Sequence, residues 1–255
     1  MVTGASSGIG RELAYRIGEA GLNLILVARR GDVLLDLKKD LENSQRIRCL
    51  VLALDLSKDR ALPELERAVE GIDVGLLVAA AGFGTSGGFT GNPLEPELEM
   101  LQVNCAALLR LTHFFARRFS KRGRGGIILM SSMVAFQGVP FAAHYAASKA
   151  YVQCLGEALH HELKPAGVDV LAAAPGPVHS GFADRAKMRL GMALQPSQIA
   201  WPILDALGRK MTVLPGTFTK LLIYSLRTVP RWGKVRIMKG VMGGMTRHQA
   251  PPEGS

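Results

Sequence analysis

Thr3-Gly4-Ala5-Ser6-Ser7-Gly8-Ile9-Gly10 follows a short apolar start and leads directly into an amphipathic helix pattern at about residues 11–20. Glycines in such a turn let the backbone reverse tightly and approach a pyrophosphate, and let the next helix pack close to a sheet. The helix N-terminus then offers free N–H groups to an anion. Glycines also serve ordinary turns. The position of this turn at the first strand-to-helix junction makes Gly4, Ser6, Gly8, Ile9 and Gly10 candidate contacts for a nucleotide.

From there to about residue 205, short apolar runs alternate with longer amphipathic segments, the rhythm of βαβ units around a parallel sheet. The strand patterns fall at 23–28, 48–53, 74–80, 126–131 and 168–173. Each is continuously apolar, as in strands buried on both faces. The helix patterns fall at about 11–20, 32–43, 63–69, 97–119 and 146–164, the last stopped by Pro165 and Gly167. These features predict an α/β fold: one doubly wound parallel sheet of Rossmann type over residues 1–205, a basic and apolar helical extension over 206–248, and a disordered tail over 249–255. One feature is unusual, because only Met1, Val2 and Thr3 precede Gly4 where about five strand residues are normal. Either the chain begins late or the middle strand is shortened, which would leave neighbouring backbone groups short of partners.

The 255 residues are 48% hydrophobic and 20% charged, a globular balance. The three cysteines, Cys49, Cys105 and Cys154, are widely spaced among apolar residues. That pattern suits reduced core thiols and suggests no disulfide framework and no metal site. No leader pattern and no apolar run of about 18 residues stands out, so the default location is the cytoplasm. The formal charge of +10 is uneven: between Asp205 and Glu253 nine Lys and Arg residues occur and no acid. This segment, with Leu221-Leu222-Ile223-Tyr224 and Val235-Arg236-Ile237-Met238, suits an anionic membrane surface, and equally an oligomer contact or a solvated basic helix. Nucleic acid fits less well, since stacking aromatics are sparse there.

At the end of the second strand pattern, where an NAD site would place a carboxylate on the ribose 2′-hydroxyl, the chain reads Val27-Ala28-Arg29-Arg30. Arg29 is the candidate partner of a 2′-phosphate, which favours NADP(H) over NAD(H); two solvated arginines at a strand end are the alternative. Asp55, in Leu54-Asp55-Leu56, either meets an adenine amino group together with Leu56 or caps a turn.

Tyr145 and Lys149 stand four apart at the start of a strong helix pattern, on one face. An ammonium beside a phenol favours the phenolate, so this spacing predicts a tyrosine pKa lowered toward the working range, suited to exchanging a proton with a substrate oxygen. Ser132, after a strand, is placed to hold that oxygen, with Ser131 its competitor by position. Asn104, a poor helix residue inside a helix pattern, either serves a proton-relay water or is a plain polar position.

Thr3 to Gly10, Asn104, Ser132 and Tyr145-Ala146-Ala147-Ser148-Lys149, in this order and spacing, resemble the glycine turn, helix asparagine, active serine and Tyr-x-x-x-Lys motif of the short-chain dehydrogenase/reductase family. The resemblance covers about residues 1–205. It implies hydride transfer between a nicotinamide dinucleotide and a carbonyl or secondary alcohol, and it selects Ser132 over Ser131. It also places Lys149 on the nicotinamide ribose, and implies a homo-oligomer. Pro175-Gly176-Pro177-Val178 resembles the loop that meets the nicotinamide carboxamide, with Ser180 where a threonine is usual. The family's Asn-Asn-Ala-Gly is here Ala79-Ala80-Ala81-Gly82, which removes polar side chains beside the cofactor contact at Ala81. Phe182, Met188, Leu190 and Met192 then form either an apolar lid over a hydrophobic substrate or core filler. A catalytically impaired nucleotide-binding protein or membrane-associated scaffold is the alternative function.

Overall fold

In the computed structural model of the chain, which describes residues 1–189, 191 and 193–249, the continuously apolar runs are central strands covered on both sides. The strands are β1 (Val2–Thr3), β2 (Leu24–Ala28), β3 (Cys49–Ala53), β4 (Leu76–Ala79), β5 (Gly125–Met130), β6 (Val168–Ala173) and β7 (Thr212–Val213). All pair in parallel, in the order β3-β2-β1-β4-β5-β6-β7. Successive strand residues face opposite sides. Ile25, Val27, Leu77, Ile127 and Leu129 therefore enter one core, with Leu111, Phe115 and Phe119 of α5 (Leu108–Arg122) and Val152 of α6 (Ala143–Leu163). Leu24, Leu26, Val78, Ile128 and Leu171 enter the other, against α1 (Gly8–Glu19), α2 (Gly31–Gln45) and α8 (Pro196–Ala206). The short helix α3 (Ala61–Ala68) completes the first layer through Leu62 and Leu65.

The middle strand is short, as the sequence allows. Val2 and Thr3 are paired on both sides, to Leu26 and Val27 and to Val78 and Ala79. Met1 lengthens the ladder, donating to Leu76 O at 2.7 Å and accepting from Val78 N at 2.9 Å. Strand order reverses at β1, between β2 and β4, the place where an open α/β sheet forms a crevice beyond its strand ends. The Ala79-Ala80-Ala81 run is tied there by Thr3. Its hydroxyl accepts from Ala81 N at 3.1 Å and donates to Val78 O at 3.4 Å.

The helix predicted over 97–119 differs from the observed one. It is α4 (Leu94–Leu101), then a wider π-helical stretch over Gln102–Ala107, then α5. Asn104 lies in that stretch, and the extra residue per turn explains why a regular 3.6-residue period does not describe the segment. Cys49 and Cys105 are buried as expected, but Cys154 is exposed on α6, because its position there points away from the sheet. Beyond α8 lie β7, α9 (Thr217–Ser225) and α10 (Arg231–Thr246). Met238 and Met242 of α10 are buried one turn apart against Phe83, Met100, Val139, Ala142, Tyr145 and Ala146. Gln249, the first residue of the predicted disordered tail, lies in a closing turn and donates to Ser86 Oγ at 3.0 Å. Residues 250–255 lie outside the described residues. Among the described residues, no helix is long and apolar enough to cross a membrane.

Replacing Thr3 with Val should keep the strand's shape while leaving the Ala81 N–H without its acceptor. The expected cost is about 1–2 kcal/mol of stability, read as a lower urea midpoint at unchanged slope.

Candidate active site

The glycine turn, the ends of β2 to β6 and the last two helices enclose one cavity of about 890 Å³. At one end Gly4 has φ +69°, and a Cβ there would sit 2.8 Å from Ala80 O. Gly8 has φ +57°, and its Cβ would sit 2.8 Å from Cβ of Ser180. The sequence needs glycine at both places, and Gly8 is where the loop after β6 closes on the turn. Ser7 caps α1 without a side-chain hydrogen bond, and the helix's first turn holds no acid. Its N–H groups are therefore left for an anion. This cradle, with two arginines at its rim, fits a phosphorylated dinucleotide.

The two arginines divide differently from the sequence expectation. Arg29 points across the cavity to Glu99 of α4, Nη1 to Oε1 at 3.3 Å. Arg30, which the sequence reading did not single out, donates to both O and Oγ of Ser6 at 3.1 Å. Glu99 also accepts from Arg185 at 3.0 Å. Arg185 belongs to α7 (Phe182–Arg185), over the cavity, and its guanidinium stands 3.3 Å from the Phe83 ring centroid. An Arg29–Glu99–Arg185 bridge thus links the cofactor rim to the covering segment. Neither the 70-residue nor the 86-residue separation of these pairs leaves a local signal in the sequence.

Asp55 lines the cavity and also caps its own turn, accepting from Ser57 N at 3.0 Å and Ser57 Oγ at 2.9 Å. Burial alone would raise its pKa; the Ser57 hydrogen bonds and nearby Arg29 and Lys58 hold it below the ordinary value. Leu56, Ala81, Pro175, Gly176, Val178 and Ser180 all line the same cavity. Gly176 is pressed against Thr219 of α9, and Pro175 O accepts from Met133 N at 2.9 Å.

Ser132, Tyr145 and Lys149 meet at the middle of the cavity, all buried. Ser132, two residues beyond β5, is extended, caps the short turn at Met133–Phe136 and accepts from Val134 N at 3.4 Å. Ser131 lines the cavity too, with its hydroxyl engaged in donating to Lys149 O at 3.1 Å. Lys149 Nζ donates to Met130 O at 2.8 Å and lies 5.9 Å from the Tyr145 ring centroid. The helix start is pinned by His144, whose Nδ1 lies 2.8 Å from Oε2 of buried Glu97.

The expected fall in the tyrosine pKa is not what this environment produces. Burial pushes the Tyr145 phenol up to about 12, against a smaller opposing effect of the neighbouring Ser132 hydroxyl. Burial likewise pushes the Lys149 ammonium down to about 8. Spacing reported the neighbours correctly but carried no information on desolvation, which penalises both charged forms.

Asn104 is fully buried and its amide is in use. Oδ1 accepts from Phe83 N at 3.1 Å, while Nδ2 donates to Phe83 O at 2.9 Å and Ser148 Oγ at 3.0 Å. Its side chain thus clamps the segment after β4 to α6. Phe182 lies over Tyr145 with ring centroids 5.1 Å apart. Met188, Met238, Met242 and Met245 extend the wall into an apolar recess. Leu190 and Met192 lie outside the described residues. The tail's part in this wall escaped the sequence reading, although Met238, Met242 and Met245 repeat at helical spacing.

The comparisons agree with this geometry. A family profile described as short chain dehydrogenase matches residues 1–189. A very-long-chain 3-oxoacyl-CoA reductase from Pyrenophora tritici-repentis is 34% identical over 82% of this chain; the match spans 63% of that protein's length. A 7beta-hydroxysteroid dehydrogenase from Clostridium sardiniense is 28% identical over 86% of each chain. The solved structure of a short-chain dehydrogenase from Sphingobium yanoikuyae in complex with NADPH superposes with a TM-score of 0.80 at 28% identity, covering 100% of this chain and 96% of that one. With its parallel sheet, its glycine cradle and its serine, tyrosine and lysine at one cavity, this chain belongs to the short chain dehydrogenase family.

Proposed function

We propose that the protein is an NADP(H)-dependent carbonyl reductase, reversible as a secondary-alcohol dehydrogenase, acting on a hydrophobic substrate. The carrying observation is the place of Tyr145: buried, lining the same cavity as Ser132 and Lys149, and set between the glycine cradle and the methionine-lined recess. The NADPH complex of the Sphingobium yanoikuyae protein and the named activities of the fungal and clostridial relatives support the same reading.

In this reading the Gly4–Gly10 turn and the start of α1 hold the pyrophosphate, Arg29 and Arg30 the 2′-phosphate, and Asp55 and Leu56 the adenine. Ala81 and the loop from Pro175 through Val178 to Ser180 hold the nicotinamide half. When bound, the nicotinamide supplies or accepts the hydride. Ser132 donates a hydrogen bond to the substrate oxygen and orients it. Tyr145 gives that oxygen its proton; a phenol with a raised pKa stays protonated through the neutral range and so suits the reductive direction. Lys149, still largely protonated at neutral pH, favours charge development on the phenol oxygen as the proton leaves. Asn104 acts as a positioning residue, fixing Phe83 and Ser148. Phe182 and the methionines exclude water from the reacting centre. The same reading includes a homo-oligomer, for which exposed Leu101, Leu109 and Tyr151 offer an apolar face.

Tyr145→Phe should abolish NADPH oxidation with a hydrophobic ketone while cofactor binding, followed by fluorescence, persists; full activity in this variant would end the assignment. The pH profile of kcat/KM for reduction should be level below neutrality and fall as pH rises through about 8, where Lys149 loses its proton. A profile unchanged up to pH about 10, the ordinary lysine range, would remove that role. Arg29→Ala and Arg30→Ala should each weaken NADPH about tenfold or more, the worth of a charge-assisted hydrogen bond, with little change for NADH. Glu99→Gln, which frees Arg29, should tighten NADPH. Equal effects on the two cofactors would refute the 2′-phosphate assignment.

A further inference from the structure

The basic segment after Asp205 folds into two helices whose inner and outer faces differ in chemistry. Inward, Ile223 of α9 and Met238 and Met242 of α10 are buried. Outward, Phe218, Leu221 and Tyr224 recur at every third residue along α9 with 49%, 70% and 52% of their surface exposed, and Trp232 at the start of α10 is 66% exposed. Large apolar side chains gathered this way mark an interaction surface rather than scattered exceptions. Phe218, Ile237 and Val241 belong to both faces, since each lines the cavity and is also exposed. The substrate recess therefore opens through this patch.

Cations lie along and beside the same two helices. Lys220, Arg227, Arg231, Arg236, Lys239 and Arg247 are exposed, and none forms a salt bridge among the described residues. Apolar anchors that include Trp and Tyr, ringed by Lys and Arg, match the interfacial layer of an anionic bilayer. Rings sit there at headgroup depth and long basic side chains reach the phosphates. Pairing this face with its own copy would bring like charges together on both sides.

We propose that the α9–α10 face docks on an anionic lipid surface, so that the methionine-lined recess opens toward the membrane. The docking stands on the surface alone. Its consequence, that an apolar ketone enters from the bilayer rather than from water, rests on the proposed reductase function.

The test uses the full chain with Trp201→Phe, which leaves Trp232 as its one tryptophan. The protein is floated with phosphatidylcholine vesicles with and without phosphatidylglycerol. It should rise with the anionic vesicles only, Trp232 emission should move to the blue, and both effects should vanish at high salt. Arg231→Gln with Lys239→Gln should weaken vesicle binding about tenfold or more, and Leu221→Ser with Trp232→Ser should do likewise. Neither pair lines the cavity, so reduction of a water-soluble ketone should be unchanged. Absence of flotation at low salt, or equal binding to neutral vesicles, would overturn the docking while leaving the reductase reading intact. So would a dimer seen by sedimentation velocity that the same substitutions dissolve, since the face would then be a contact between copies. Vesicle binding as expected without turnover of any ketone would support the docking and remove the reductase reading.

Discussion

Among the described residues the Lys149 ammonium has no carboxylate partner; it is buried at the end of the central sheet and held by the Met130 carbonyl at 2.8 Å. A buried cation is costly unless it is hydrogen-bonded, and here the strand end supplies the acceptor. The backbone at Lys149 is in turn tied to Ser131, which engages that serine's hydroxyl, while Ser132 beside it lines the same cavity. One turn earlier on the same helix, Tyr145 is carried to Ser132. The three cavity groups are thus set by how the first turn of α6 seats on the end of β5, and the same seating imposes the desolvation that moves the pKa values of Tyr145 and Lys149 away from their ordinary ranges.

A second polar clamp supports the first. Asn104 satisfies both backbone groups of Phe83 and reaches Ser148, so the segment after β4, the π-helical stretch and α6 are held by one amide. Thr3 performs a comparable task one strand over, bonding Ala81 across the crevice. The polar side chains missing from Ala79-Ala80-Ala81 are in this way compensated by hydroxyl and amide groups from neighbouring elements, and the strand remains in register with β1 and β5.

The fold was legible because its signals are local. Strands buried on two faces leave unbroken apolar runs, and the glycine turn and the Tyr145–Lys149 spacing lie within single segments. What escaped was non-local or environmental. The turning inward of Arg30 depends on where α2 begins; the Glu99 bridge joins three distant segments; the π-helical stretch changes the period under Asn104; and the pKa of Tyr145 depends on how deeply the helix is sunk. The basic tail was visible as a charge pattern, but its Met238 and Met242 acquire meaning only when α10 is laid over Tyr145.

That roof has an implication for how the protein is made. The cradle, Ser132, Tyr145 and Lys149 all precede Pro175, whereas Met238, Met242 and Met245, which complete the recess, come some sixty to seventy residues later in the chain. On a ribosome, where segments emerge in order, the dinucleotide half can assemble while the final helix is still in the exit tunnel. The nascent protein passes through a stage at which Tyr145 has neighbours below it and solvent above, and the wall over it closes only when α10 is laid down.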